Sequence, residues 1–229
     1  MYKKAYLAVL IATALLAFCS CVKNDPPVAN PGTVNLNVIN AITDTSIVIN
    51  YYINGARQNS VTGIYPLANS GYSAVNRGET VIAFRRLFDN QNYNYADTLF
   101  TFPVKLDSAA SNVSYSLFLS GLNRNSAFLI KDTLASDAKN ALLRFVPATQ
   151  ELPQVRVYLN DTLRFTSSSF KAVSAFIPVG NGKKTIRISP LNTNEVLYTS
   201  NITLNAGTIY TLFSQGRRNS FRAGLIVNQ

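Results

Sequence analysis

Histidine and tryptophan are absent from this 229-residue chain, methionine occurs once, and both cysteines fall within its first 21 residues. Without histidine there is no Ser-His-Asp triad and no Cys-His pair. The usual zinc and iron ligand sets are missing for the same reason. No P-loop and no dinucleotide-binding glycine motif occurs. Acids are scarce as well, 11 against 21 basic residues, for a formal charge of +10. A hydrolase working with paired carboxylates would have to draw on those 11. Most of them sit beside Thr, Ser or Asn in turn-like contexts, where local backbone bonding is their ordinary role. The expectation is a protein that is not an enzyme and carries no cofactor and no metal.

Long hydrophobic runs are absent too, with one exception. Lys3 and Lys4 precede Ala5 to Phe18, fourteen residues without a charge. About 20 apolar residues are needed to span a bilayer, so this run has instead the length of a signal-peptide core. Cys19-Ser20-Cys21 follows. The stretch resembles bacterial lipoprotein precursors, whose signal is cut just before a cysteine that receives lipid. Ser20 is the small residue such cleavage needs, whereas Phe18 before Cys19 is too large. Residues 1–20 are therefore read as a lipoprotein signal peptide and Cys21 as the acylated residue. Residues 21–32, with Pro26, Pro27, Pro31 and Gly32, are read as a flexible tether. Removal of the signal leaves a single cysteine, so no internal disulfide forms and stability must come from buried apolar surface.

The remainder is built from short runs that alternate apolar and polar residues: VNLNVI, IVINYYI, VRVYL, TIRIS and NITLN. Alternation at period two marks strands with one face buried, and Gly, Asn, Asp and Pro between the runs mark turns. The class is all-β. The two halves also resemble each other in order. Leu36 to Ala41 aligns with Leu143 to Ala148, Ile49 to Asn54 with Val155 to Asn160, and Tyr115 to Gly121 with Tyr210 to Gly216. The expected organisation is two tandem immunoglobulin-like antiparallel β-sandwich domains, residues 33–132 and 141–229, joined by a linker at 133–140. The second is long enough to be expected to fold alone.

Three segments carry a family resemblance: Ala141 to Asp161, Ile177 to Ile188 and Ile202 to Gly216. They are similar to the domain-of-unknown-function 4397 family in the opening Arg-Phe strand, the Val-x-Val-Tyr-x-Asn strand, and the Ala-Gly-x-x-Tyr-Thr run that closes on Gly. The first half departs from the pattern, with Asn37 in place of the Arg and Ala110-Ser111-Asn112 in place of Ala-Gly. The resemblance implies exported β-sandwich modules, often in lipoproteins, and assigns no activity and no functional residues.

Several further residues are candidates. Relative to the second half, the first has nine extra residues, best placed within Phe88 to Asp97. There Tyr93 and Tyr95 offer flat apolar faces and Asn92 and Asn94 offer amides, a pairing suited to a glycan ligand. Asp89 and Asp97 with these asparagines do not have the spacing of an EF-hand loop. Four Asp-Thr/Ser-apolar triplets, with acceptors Thr98, Ser108, Thr133 and Thr162, resemble a periplasmic O-glycosylation sequon. Residues 141–229 hold ten bases and three acids, whereas 33–140 hold eight and seven. Such a basic half can meet anionic lipid or lipopolysaccharide, or simply solvate strand faces. The expected protein is a cell-envelope lipoprotein, anchored at the outer membrane and facing the periplasm or the surface. Its partners are the membrane and a glycan or another envelope protein, and not nucleic acid. A non-catalytic binding or structural module is expected first, an accessory glycan-binding protein of a polysaccharide-uptake system second, and an envelope hydrolase third.

Overall fold

The computed structural model describes residues 32–60, 62–87, 98–107, 113–133, 137–152 and 154–228. They belong to one compact unit, Gly32–Gln229. The first half contains β1 (Thr33–Asn40), β2 (Ile49–Ile53), β3 (Ala56–Arg57), β4 (Ser73–Asn76), β5 (Gly78–Arg86), β6 (Thr98–Leu106), β7 (Ser114–Leu119) and β8 (Ala127–Asp132). The second contains β9 (Ala141–Val146), β10 (Val155–Leu159), β11 (Thr162–Ser167), β12 (Ile177–Val179), β13 (Gly182–Pro190), β14 (Tyr198–Leu204), β15 (Ile209–Gln215) and β16 (Arg222–Val227).

The expected all-β sandwiches are present. The first half forms sheets β4-β1-β7-β8 and β3-β2-β5-β6, and the second β12-β9-β15-β16 and β11-β10-β13-β14. The strand order is the same in both halves once strands are counted from each half's start. In both, the first strand pairs parallel with the seventh: Asn37 lies opposite Ser116 and Arg144 opposite Thr211. Every other ladder is antiparallel. The tight β2–β3 and β10–β11 turns place Asn54-Gly55 and Asn160-Asp161 at positive φ. That pattern suits the twist of the flanking strands and explains the choice of Asn, Gly and Asp.

Each sandwich has its own core. Leu36, Val38 and Leu117 meet Ile49, Ile82 and Phe84 in the first, and Leu143, Phe145 and Leu212 meet Val155, Val157 and Ile188 in the second. A third cluster joins the halves. Ile39, Phe118 and Phe128, from the outer faces of β1, β7 and β8, pack on Val146, Phe213 and Ile226 of β9, β15 and β16. Phe118 stacks on Phe128 at 5.3 Å and meets Phe213 edge-on at 5.6 Å. Gly224, opposite Phe213, makes room for that ring, since a Cβ there would lie 2.4 Å from Phe213 Cζ. The result differs from strands with one wet face: β7 and β15 are buried along their whole length. Two sandwiches stacked through their central sheets leave those strands no solvent-facing side.

Candidate functional site

The joint between the halves has an apolar part, just described, and a polar part. Asp132 ends β8 and Arg144 is the one outward-pointing charge on β9; their side chains are 0% and 3% exposed, and Arg144 Nη2 lies 2.5 Å from Asp132 Oδ1. The other carboxylate oxygen accepts from the Tyr72 hydroxyl at 2.7 Å and the Ser116 hydroxyl at 2.8 Å. Arg144 Nε donates to Thr211 Oγ1 at 2.8 Å, and the guanidinium lies 4.6 Å from the Phe176 ring centroid. Thr211 donates to Asn228 Oδ1, whose amide nitrogen returns to the Tyr72 hydroxyl at 2.9 Å. Burial pushes the Tyr72 phenol up to about 12, and the neighbouring Asp132 carboxylate adds to the shift. This closed circuit satisfies its members with one another. It fixes how the halves sit and offers no group to a ligand.

At the other end of the joint the surface opens. The segments that follow the C-terminal ends of β1, β7, β9 and β15 converge there on one cleft of about 560 Å³. They are residues 42–44, 120–126, 149–151 and 217–220. Because β1 runs parallel to β7 and β9 to β15, both halves deliver their loops to the same end. The volume falls within the roughly 300–1,000 Å³ usual for small-molecule sites. The loops are built alike: Arg124–Ser126 and Arg218–Ser220 are both 3-10 turns of sequence Arg-Asn-Ser. Asn123 caps the first through its Oδ1, which accepts from the Ser126 amide and hydroxyl. Gly216 sits at φ +94° before the second, where a Cβ would lie 2.3 Å from the Ser220 carbonyl oxygen. Gln215 Nε2 crosses the joint to the Ile42 carbonyl at 2.7 Å, and Lys171 Nζ donates to the carbonyls of Asn125 and Ala127. Burial holds the Lys171 amine below its ordinary value.

The cleft's charged groups are already engaged. Glu151 pairs with Arg217 at 3.0 Å. Asp44 accepts from the Ser46 hydroxyl at 2.7 Å and the Ser46 amide at 2.9 Å, which hold its carboxyl below the usual range. Gln150 and Leu122 are exposed at the rim, Leu122 at 43%. The cleft therefore presents an amide, an ion pair, a carboxylate and a small apolar surface to an incoming molecule. Among the described residues no group of three or more His, Cys, Asp or Glu could hold a metal.

The residues singled out in the sequence lie elsewhere. Cys21, Asn92, Tyr93, Asn94, Tyr95 and Ser108 fall outside the described residues. Thr98 opens β6 and Thr162 opens β11, both exposed, and exposed Thr133 follows β8. These three are on separate elements and none lines the cleft. Asp132, read as part of a sequon with Thr133, turns its carboxylate inward to Arg144. Sequence reasoning missed both the buried circuit and the cleft. The signals were a lone Arg in the apolar run ALLRFV, and the matching ends Ala41/Ala148 and Gly121/Gly216, which border the cleft loops.

No helix among the described residues is long and apolar enough to cross a membrane. No curated protein matches the chain. Residues 141–229, the second sandwich with its half of the cleft, match the family described as Domain of unknown function (DUF4397).

Proposed function

We propose that the chain is an envelope lipoprotein, anchored through acylated Cys21, whose paired sandwiches form a non-catalytic binding module. In this reading the first half is a divergent copy of the module that residues 141–229 match. The common strand order, the parallel first and seventh strands and the paired Arg-Asn-Ser turns support it. The observation that carries the binding role is the cleft: equivalent loops of both halves meet around one concave polar surface, at the end opposite the start of β1. Hydrolysis fits it less well. Glycoside cleavage needs a carboxyl held protonated as the acid. Here Asp44 is shifted toward ionisation, and Glu151 is paired with Arg217. The free amide of Gln150 beside these polar groups favours a hydroxyl-rich ligand, which makes a glycan-binding role in polysaccharide uptake the second reading.

Metabolic labelling with a palmitate analogue tests the anchor: wild type takes label, and Cys21→Ala does not. Equal labelling of the variant refutes the assignment. For the cleft, the unit 32–229 is applied to a glycan array. Gln150→Ala weakens retention about fivefold, the worth of one hydrogen bond, with no change in melting temperature. If that variant binds normally while Tyr93→Ala with Tyr95→Ala abolishes retention, the insertion and not the cleft carries the ligand.

A further inference from the structure

We infer that the outer face of sheet β11-β10-β13-β14 docks on a membrane surface bearing anionic phospholipid headgroups. Along β10, β11 and β13, Val157, Phe165, Ile186 and Ile188 point into the core. Their neighbours Arg156, Tyr158, Leu163, Arg164, Lys183 and Arg187 point out. Arg164 and Lys183 are exposed, and Leu163 is 48% exposed. The guanidiniums of Arg187 and Arg156 lie 4.0 Å and 6.0 Å from the Tyr158 ring centroid, and Arg156 Nη2 donates to the Thr193 carbonyl at 2.5 Å, so both charges are held in place. Arg156 and Arg187 flank Tyr158, Arg164 adjoins Leu163, which pairs with Tyr158, and Lys183 lies farther along β13; the carboxylate of Asp161 is 3.6 Å from Arg187.

The pattern is only partly shared by the first half. The equivalent face of the first half shares the arginine over a tyrosine, with Arg85 4.4 Å from the Tyr52 ring centroid, but it presents Val81 there, and its Lys105 is neutralised by Asp107 at 3.1 Å and Glu79 at 3.8 Å. A face with cations beside a small apolar centre matches a headgroup layer, where phosphates meet the charges and Leu163 enters the boundary. A second copy fits poorly, because a symmetric contact would bring four cations against four. Reach is sufficient. From Cys21 to Thr33 the chain has 12 residues, up to about 40 Å when extended, and two sheet spacings amount to about 20 Å. An anchored molecule can lay this face on its own membrane, a step that rests on the lipoprotein reading.

Vesicle sedimentation of the unacylated unit 32–229, which contains all three hydrophobic clusters, tests the docking separately from the anchor. The unit binds vesicles of mixed phosphatidylcholine and phosphatidylglycerol, does not bind phosphatidylcholine alone, and is released by salt. Arg164→Gln combined with Lys183→Gln lowers partitioning about 25-fold, at about fivefold per cation, with melting unchanged. Leu163→Ser lowers it further. Inorganic phosphate at the same ionic strength as sodium chloride competes no better than chloride, which separates a headgroup surface from a phosphate pocket. Absence of binding to mixed vesicles, equal binding by the double variant, or specific competition by phosphate overturns the inference. So does self-association without vesicles that the same two substitutions abolish. None of these results bears on whether Cys21 takes label.

Discussion

Asp132 and Arg144 are costly residues to bury, since each charge taken out of water loses several kcal/mol of hydration and recovers it only with complete pairing. Here the pairing is complete on the acid's side: one oxygen takes Arg144, and the other takes Tyr72 and Ser116. The equivalent place in the first half is different. Asn37 occupies the position of Arg144, is fully buried, and its Nδ2 finds no partner. One carboxylate at the joint can neutralise one guanidinium, so a second arginine at 37 would bring an uncompensated charge. That accounts for the departure of the first half from the Arg-bearing pattern of the second. Coupling follows from the geometry. Arg144→Met leaves the Asp132 carboxylate buried without a cation and costs about 3–5 kcal/mol of unfolding free energy. Asp132→Leu costs a similar amount. The double variant, in chemical denaturation, regains most of the loss. Costs that simply add would show that the two side chains act independently.

At the scale of the strand, what the sequence shows depends on what lies across the face. VRVYL and TIRIS alternate because one side meets a core and the other meets water, and β10 and β13 have that burial pattern. SYSLFL begins with the same alternation, yet Ser114 and Ser116 of β7 are as buried as Tyr115 and Leu117. Periodicity reports the polarity of a face. It does not report whether a polar face ends in solvent or against another polar face. The repeat alignment located strands for the same reason, since alternation and turn residues are local. The cleft was not legible, because its parts are four loops far apart in the chain, brought together by the parallel pairing of first and seventh strands within each half and by the packing of the halves against each other. Its local marks were small: Gly216, required by its positive φ and the close Ser220 carbonyl, and the twin Arg-Asn-Ser turns.

For the molecule as a whole, the question is whether the second half is a domain in its own right. It has a complete inner cluster, from Ala141 to Leu225, and its length suits an independent core. Separation, however, exposes Val146, Phe213 and Ile226 together on one face and strips Arg144 of its counter-ion. The apolar surface so uncovered is contiguous, the kind that drives association. Residues 141–229 expressed alone are therefore expected to give a β-type spectrum but to melt below the unit 32–229 and to self-associate. Arg144 has no carboxylate to meet in a pair of identical fragments, because the residue matching Asp132 in the circuit is Asn228. Such a homodimer is correspondingly weak. Adding residues 32–140 as a separate chain restores Asp132 and the Phe118 and Phe128 rings. It should convert the mixture to a one-to-one complex whose melting temperature rises toward that of the intact unit, and Asp132→Leu in the added chain should prevent most of that rise. Ultracentrifugation and calorimetry of the two fragments decide the matter. If the second fragment is monomeric and melts at the temperature of the whole, the joint contributes nothing to stability and the halves are independent domains.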